Sequence, residues 1–408
     1  MKTSNMKSLL DNLGKALKER HISNSQPLEP LSLMGGKLGM ALFAAYYYEV
    51  GKKQEFLDFA VTTIEECFEH ISNQEAVADT FCSGICGVAW VVNHFIQKGW
   101  IEEDESPLLQ FDEYLEDVGI GYFQQGYYDY LHGGIGIALY WLERESGEEH
   151  LKTMLRLLEE QAIQDERGIH WQNMNLGLLY KDNVLKKEVN FSLSHGMTSI
   201  IYILTKVHEK GIEKELCEKL LRGVIQFIQH FPCETDEPAA FPSSLEIDEK
   251  GEYKKTNPSR LAWCYGDLGM SVVMMQTGLQ LKDENILNFA KEIGLKTLQR
   301  KTMEDSQLRD AGFCHGVFGV AFCYEKMFEY SKAPQFLEAA NHWFEIGNKY
   351  LTDENPIAQY HSLDSEDIPI EDTILSGSTG IGLVIMEKLG LLKKTEGIQH
   401  WDRVLLLS

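Results

Sequence analysis

The chain has 408 residues, 44% of them hydrophobic, and a formal net charge of −24 from 62 acidic and 38 basic side chains. Such a surface repels phosphate backbones and argues against nucleic acid as a partner, and no apolar run of about 20 residues is present to span a membrane as a helix. The first residues lack the apolar stretch of a signal peptide, so the eight cysteines are expected as thiols or ligands in a reducing cytoplasm, not as disulfides.

The N-terminus runs into an amphipathic segment carrying Leu9, Leu10 and Leu13. Gly36-Lys37-Leu38-Gly39 then opens an apolar run, Met40-Ala41-Leu42-Phe43. Beyond it, Ile64, Cys67, Phe68 and Ile71 fall at i, i+3, i+4 and i+7, which predicts an amphipathic helix. The glycine pattern returns at Gly84–Gly87 and Gly133–Gly136, each time before apolar residues. From Asp165 to Ser192 the helical rhythm breaks, with strand-like Ile169-His170-Trp171-Gln172 and Val189-Asn190-Phe191. A degenerate fourth copy follows, Gly196-Met197-Thr198-Ser199. Leu216, Leu220, Ile225, Phe227 and Ile228 mark another amphipathic helix. A second break covers Phe231 to Thr256 and contains a candidate hairpin, Glu246–Tyr253. The last copies are Gly266–Gly269, Gly316–Gly319 and Gly377–Gly380. From first glycine to first glycine the steps are 48, 49, 63, 70, 50 and 61 residues, the signature of a repeat architecture with insertions.

Each unit reads as an amphipathic outer helix and an inner helix that is apolar nearly all round. The inner helix has no polar face and must be buried. Seven such pairs cannot bury themselves singly, and closing them into a ring covers both ends. The expected fold is all-α: an (α/α)7 toroid of seven helical hairpins, with the Gly-x-x-Gly loops at one end of a central cavity. The even spread of repeats predicts one domain over 1–408, with small β-containing excursions at 165–192 and 231–256 lying over the cavity mouth, where loops carry specificity.

The residue before the first glycine then occupies one equivalent place in every unit: Gly35, Ser83, His132, His195, Tyr265, His315 and Ser376. Histidine tolerates loops in general, but convergence of His195, Tyr265 and His315 on one cavity is the more economical reading. Trp263-Cys264-Tyr265-Gly266 and Cys314-His315-Gly316 together offer two sulfurs and a nitrogen, the donor set that zinc prefers. Three ligands leave the fourth corner of a tetrahedron for water or substrate, as at a catalytic zinc. Arg260, four residues before Cys264, either binds carbonyl or carboxylate oxygens or is a solvated loop charge. Asp129, between tyrosines in Tyr128-Asp129-Tyr130, either orients a histidine or caps the third inner helix. His195 suits general acid–base work, its ordinary pKa being near neutrality. His132 is placed at the repeated position as a supporting residue, not a fourth ligand. Cys67, Cys82, Cys86, Cys217, Cys233 and Cys323 read as small buried hydrophobes.

The ordered set of Gly-x-x-Gly repeats, Ser194-His195-Gly196, Arg260, Trp263-Cys264-Tyr265-Gly266, Cys314-His315-Gly316 and the ending Trp401–Leu407 resembles the lanthionine synthetase C-like family, the cyclases of class I lantibiotic biosynthesis. The resemblance implies one zinc on Cys264, Cys314 and His315, with Asp129, His195, Arg260 and Tyr265 lining the reaction site. Trp263 and His132 are expected beside the substrate. It also implies addition of peptide cysteine thiols to dehydroalanine or dehydrobutyrine, giving thioether rings in a dehydrated precursor peptide that carries a leader. A dehydratase and a peptide transporter are implied partners, at the inner face of the membrane. The same residues would serve addition of glutathione or another thiol to dehydroamino acids. A non-catalytic peptide-binding toroid would not need the metal residues, and an α/α-barrel glycosidase would need paired carboxylates.

Overall fold

The computed structural model describes residues 3–22, 29–73, 76–102, 106–172, 188–308, 310–349, 372–394 and 397–408. Among them are fourteen α-helices: α1 (Thr3–Leu17), α2 (Lys37–Gly51), α3 (Gln54–Asn73), α4 (Ile85–Gln97), α5 (Ser106–Gln124), α6 (Gly134–Glu143), α7 (Glu148–Glu160), α8 (Met197–Glu209), α9 (Lys214–Gln229), α10 (Asp267–Leu281), α11 (Glu284–Thr297), α12 (Val317–Ser331), α13 (Pro334–Gly347) and α14 (Ser378–Lys388). Every even-numbered helix has the first glycine of a Gly-x-x-Gly copy at its N-cap or one residue before it, and is buried along most of its length. These seven inner helices touch in sequence, and α14 returns to α2, so the ring closes. The odd-numbered helices form the outer layer.

The pairing within a unit differs from the outer-then-inner order read from the sequence. The tightest hairpins run from inner to outer: α2 with α3, α10 with α11, α12 with α13. Their connections are short, and short connections make antiparallel neighbours. Each of those three inner helices ends on a lysine in the left-handed region: Lys52, Lys282 and Lys332. The last inner helix is left without a following outer partner, and α1 takes that place against α14. The N-terminal helix thus clasps the ring shut.

The second glycine of each copy answers to a close approach of backbone. A Cβ added at Gly39, Gly87, Gly136, Gly269, Gly319 or Gly380 would lie 1.7–2.4 Å from a carbonyl oxygen six residues earlier. Ser199, the departure in the fourth copy, folds its hydroxyl back to the Gly196 carbonyl at 2.7 Å. Gly319→Ala, the tightest case at 1.7 Å from the Phe313 carbonyl, is expected to destabilise by about 1–3 kcal/mol because backbone must move. A thermal midpoint equal to that of the parent chain would contradict this.

The strands are few and short: β1 (Ile163–Asp165), β2 (Gly168–His170), β3 (Glu188–Asn190), β4 (Ser244–Ile247) and β5 (Tyr253–Lys255). β1 and β2 form an antiparallel ribbon, and β3, β4 and β5 form an antiparallel sheet in that order. The two non-helical stretches therefore meet through β3 and β4. Phe191 N–H then bonds the Ser243 carbonyl at 3.1 Å, tying the sheet to the loop before α8.

The other end of the toroid is filled by the 3₁₀ segment Trp401–Leu405 and the residues after it. Trp401, Val404, Leu405, Leu406 and Leu407 are fully buried. Tyr130 Oη donates to the Val404 carbonyl at 2.6 Å, Trp263 Nε1 to Leu405 at 2.7 Å and Tyr330 Oη to Leu407 at 2.8 Å. Arg403 bonds Glu143 on α6 at 2.6 Å and Tyr202 on α8 at 2.8 Å. The segment is a central pin whose polar backbone is satisfied by the surrounding loops and inner helices.

Candidate functional site

The loops before the inner helices are locked to one another by backbone hydrogen bonds at one recurring place. The carbonyl two residues before the first glycine accepts from the preceding copy: Cys82 from Leu33 and Met34, Leu131 from Cys82, Cys264 from Leu193, Cys314 from Trp263 and Cys264, Leu375 from Phe313 and Cys314, and Met34 from Leu375. Six of the seven junctions are closed in this way, at 2.7–3.4 Å. The exception among the described residues is the junction of the third and fourth loops. The collar sets the next residue in each loop at the mouth, where part-buried His132, His195, Tyr265 and His315 gather.

A second recurring bond orients that residue. Its N–H is accepted by a side chain three residues earlier in five copies: Ser32 for Gly35, Thr80 for Ser83, Asp129 for His132, Ser192 for His195 and Thr373 for Ser376, at 2.8–3.2 Å. In the two remaining copies the place is taken by Ala262 and Gly312, which have no acceptor. Those are the copies that carry Cys264, Cys314 and His315.

Cys264, Cys314 and His315 each bring one donor atom, all within 4.8 Å of one another. The Cys264 thiol lies well below its usual pKa, chiefly through its hydrogen bond with Cys314, with burial opposing and His315 assisting; Cys314 is pushed up by the same bond and by burial. Two sulfurs and an imidazole nitrogen brought together in this way form a donor set that fits a divalent cation such as zinc. Arg260 is half-buried, and its charge bears on both Cys314 and His315. Its backbone bridges to that of Gly266, which holds it against the Cys264 loop.

The open junction of the collar is spanned by side chains instead. Asp129, 4% exposed, takes the His132 N–H on Oδ1 and pairs with His195 Nδ1 through Oδ2 at 2.6 Å. Asp129 thus ties the turn before α6 to a histidine of the next loop, and does not cap α6 itself, whose N-cap Gly133 has no side-chain hydrogen bond. Burial pulls the His195 pKa down, but the hydrogen bond and charge of Asp129, with Cys264 and Glu188 adding, carry it above its ordinary value. The His132 ring stacks on His195 with centroids 5.8 Å apart, and the Tyr265 ring lies tilted to His195 with centroids 5.4 Å apart. Burial lowers the His132 pKa, with Asp129 opposing and His195 adding to the fall. Cys82 and Cys233 are half-buried, unlike the fully buried Cys67, Cys86, Cys217 and Cys323; the collar and the edge of the sheet leave both partly open.

Two thiols and an imidazole on the fifth and sixth loops thus stand next to a carboxylate–histidine pair on the third and fourth, at one end of a closed seven-helix ring. Residues 27–389 match the profile of the family described as lanthionine synthetase C-like protein. The chain belongs to that family. The nisin biosynthesis protein NisC of Lactococcus lactis subsp. lactis is 22% identical over 369 residues, covering 84% of this chain and 85% of that protein. The solved structure of nisin cyclase superposes with a TM-score of 0.77 at 19% identity, covering 98% of both chains, and supports the toroidal fold.

Two features of this lanthionine synthetase C-like chain escape a reading of the sequence. Trp263, expected beside the substrate, is fully buried, its indole N–H on the Leu405 carbonyl and its ring against Phe313. It offers a peptide no surface. Conversely, Asp310 and Arg300 carry weight that no motif announces. Arg300 is 3% exposed and binds Asp267 at 2.9 Å and the Ser259 carbonyl at 3.0 Å, clamping both ends of the loop that holds Arg260 and Cys264. Asp310 lies behind His315, with Oδ2 at 3.6 Å from Nε2.

Proposed function

We propose that the protein is a zinc-dependent lanthionine cyclase, closing thioether rings in a dehydrated precursor peptide by adding cysteine thiols to dehydroalanine or dehydrobutyrine. The observation that carries this reading is the convergence of Cys264, Cys314 and His315 within 4.8 Å, on loops that adjoin the one carrying His195. The similarity to NisC, named for nisin biosynthesis, supports a modified peptide as substrate. Zinc held by these three residues supplies the Lewis acidity that keeps a substrate thiol, ordinarily of pKa about 8.5, deprotonated near neutrality.

The chain's own residues then account for the remaining requirements. Attack of the thiolate sulfur on the β-carbon forms the C–S bond and moves the alkene electrons onto the α-carbon and its carbonyl oxygen. Arg260, half-buried beside the donors, is placed to stabilise that enolate oxygen. His195, whose pKa is raised by its bond to Asp129 against burial, is placed to deliver a proton to the α-carbon and so set its configuration. Ring contacts with His132 and Tyr265 restrict the orientation of the His195 ring, and so the direction of transfer. The dehydratase and the transporter belong to this reading as suppliers and acceptors of the peptide.

The test is metal content together with cyclisation. The purified chain should hold one zinc, and Cys314→Ala should lose it together with ring closure on a dehydrated peptide, counted by thiol alkylation and mass spectrometry. A full zinc complement in Cys314→Ala would sink the metal assignment. Addition of glutathione but no intramolecular ring would instead make the protein a thiol-adding relative of the cyclases.

A further inference from the structure

We propose that Asp310 is a positioning residue for the third metal donor: its carboxylate takes the Nε2–H of His315 and thereby presents Nδ1 beside Cys264 and Cys314. The inference rests on the metal reading above and concerns a residue outside the donor set.

Asp310 is 2% exposed, among the buried side chains of Leu308, Ala311 and Phe313. A carboxylate in such surroundings is retained only where its oxygens are satisfied. One of them is: Oδ1 accepts the Gly312 N–H at 2.6 Å. The other is buried and has no hydrogen-bond partner. The polar atom facing it is His315 Nε2 at 3.6 Å, just beyond hydrogen-bond length. The carboxylate is also held in place sterically, since a Cβ at Gly316 would lie 2.2 Å from Oδ1. The glycine that starts α12 therefore makes room for the acid as well as for the turn.

A neutral imidazole carries its proton on one nitrogen and offers a lone pair on the other. Fixing the proton on Nε2 leaves the lone pair on Nδ1, so a carboxylate behind Nε2 selects both the tautomer and the ring orientation. Asp310 does not itself join the cluster of donor atoms within 4.8 Å, which is complete with Cys264, Cys314 and His315. It acts through His315, and the fourth corner of the site stays open for substrate. No side-chain cap comparable to those in five other loops orients His315, because Gly312 stands at the capping place. Asp310 supplies from behind the orientation that this loop lacks.

Asp310→Asn keeps the shape and the acceptor for Gly312 but turns an amide donor, or a neutral oxygen, toward Nε2. Zinc affinity, measured by competition with a chromophoric chelator on the full-length protein, is expected to fall ~10–100-fold. The melting temperature of the metal-free protein is read alongside to detect a change in the fold. In ¹⁵N-histidine-labelled metal-free protein, where no ion fixes the tautomer, the parent chain should show His315 with a protonated Nε2, and Asp310→Asn should lose that preference. The decisive comparison uses His315→Cys, which has no imidazole to orient. There, adding Asp310→Asn should leave zinc affinity unchanged. An equal loss in both backgrounds means a general structural role and overturns the proposal, as does an unaltered affinity in Asp310→Asn alone. Failure of the metal reading looks different: the parent chain would hold no zinc, or Cys314→Ala would keep it.

Discussion

His195→Ala is expected to slow ring closure ~10²–10⁴-fold, the usual contribution of general acid–base catalysis, while leaving zinc in place. His195 lies in the fourth loop, in a separate cluster with Asp129 and His132, so removing its imidazole leaves the set of Cys264, Cys314 and His315 in the fifth and sixth loops complete. Uncatalysed addition of thiols to dehydroamino acids sets a floor, and residual product should show poor control of ring pattern. The proton donor also has a pH signature. The imidazolium is sustained chiefly by Asp129 against the opposing effect of burial. Activity should therefore fall as pH rises through a pKa above the ordinary histidine value. Asp129→Asn removes the charge that raises that pKa, so the alkaline limb should move to lower pH. Zinc content and cyclisation rate of His195→Ala, with pH profiles of the parent chain and Asp129→Asn, test both statements. A wild-type rate in zinc-loaded His195→Ala would assign the proton to another group, with Tyr265 next in reach.

How far the molecule could be read beforehand depended on whether a requirement was local. The Gly-x-x-Gly copies were legible because a backbone oxygen six residues earlier forbids a Cβ, a constraint that recurs wherever the turn recurs. The place shared by His132, His195, Tyr265 and His315 followed from the same register. The partner of α14 was not legible: α1 clasps it only because the ring closes, and neither helix carries a mark of the other. The Asp129–His195 bond likewise joins residues 66 apart, across the junction that the backbone collar leaves open. Trp263 shows the converse failure. Adjacency to Cys264 in sequence suggested a place at the mouth, but successive residues of an extended turn point to opposite sides, and the indole fell into the core. Arg300 and Asp310 were silent because a single charge in a loop reads as solvated until burial is known.

The largest effect on stability is expected from Asp402. On the pin, its carboxylate meets Lys326 of α12 at 2.5 Å and His400 Nδ1 at 3.2 Å; Lys326 is 3% exposed and Asp402 fully buried. Burial opposes ionisation of Asp402, yet Lys326 and His400 outweigh it and hold its pKa far below the usual carboxylate value. Lys326 is raised in turn, burial opposing and Asp402 leading the causes that lift it. A carboxyl with a depressed folded pKa lends stability that is complete above its unfolded value of about 3.9 and is lost as pH falls from there toward the folded value. Acid unfolding should therefore set in below about pH 4. Asp402→Asn strands the Lys326 cation in the interior, and breaking a buried pair from one side costs about 3–5 kcal/mol. Removing both charges, as Lys326→Met with Asp402→Asn, should recover much of that loss, because the penalty belongs to the stranded ion rather than to the missing contact. The consequence reaches the site. Tyr130, next to Asp129, and Trp263, next to Cys264, both donate to pin carbonyls. Loosening the pin should weaken zinc binding in Asp402→Asn and restore it in the double variant. Urea unfolding of the three proteins, with chelator competition for zinc, reads both. A denaturation midpoint for Asp402→Asn equal to the parent's would show that the pin does not hold the toroid together, and weakened zinc binding that persists in the double variant would uncouple the pin from the metal loops.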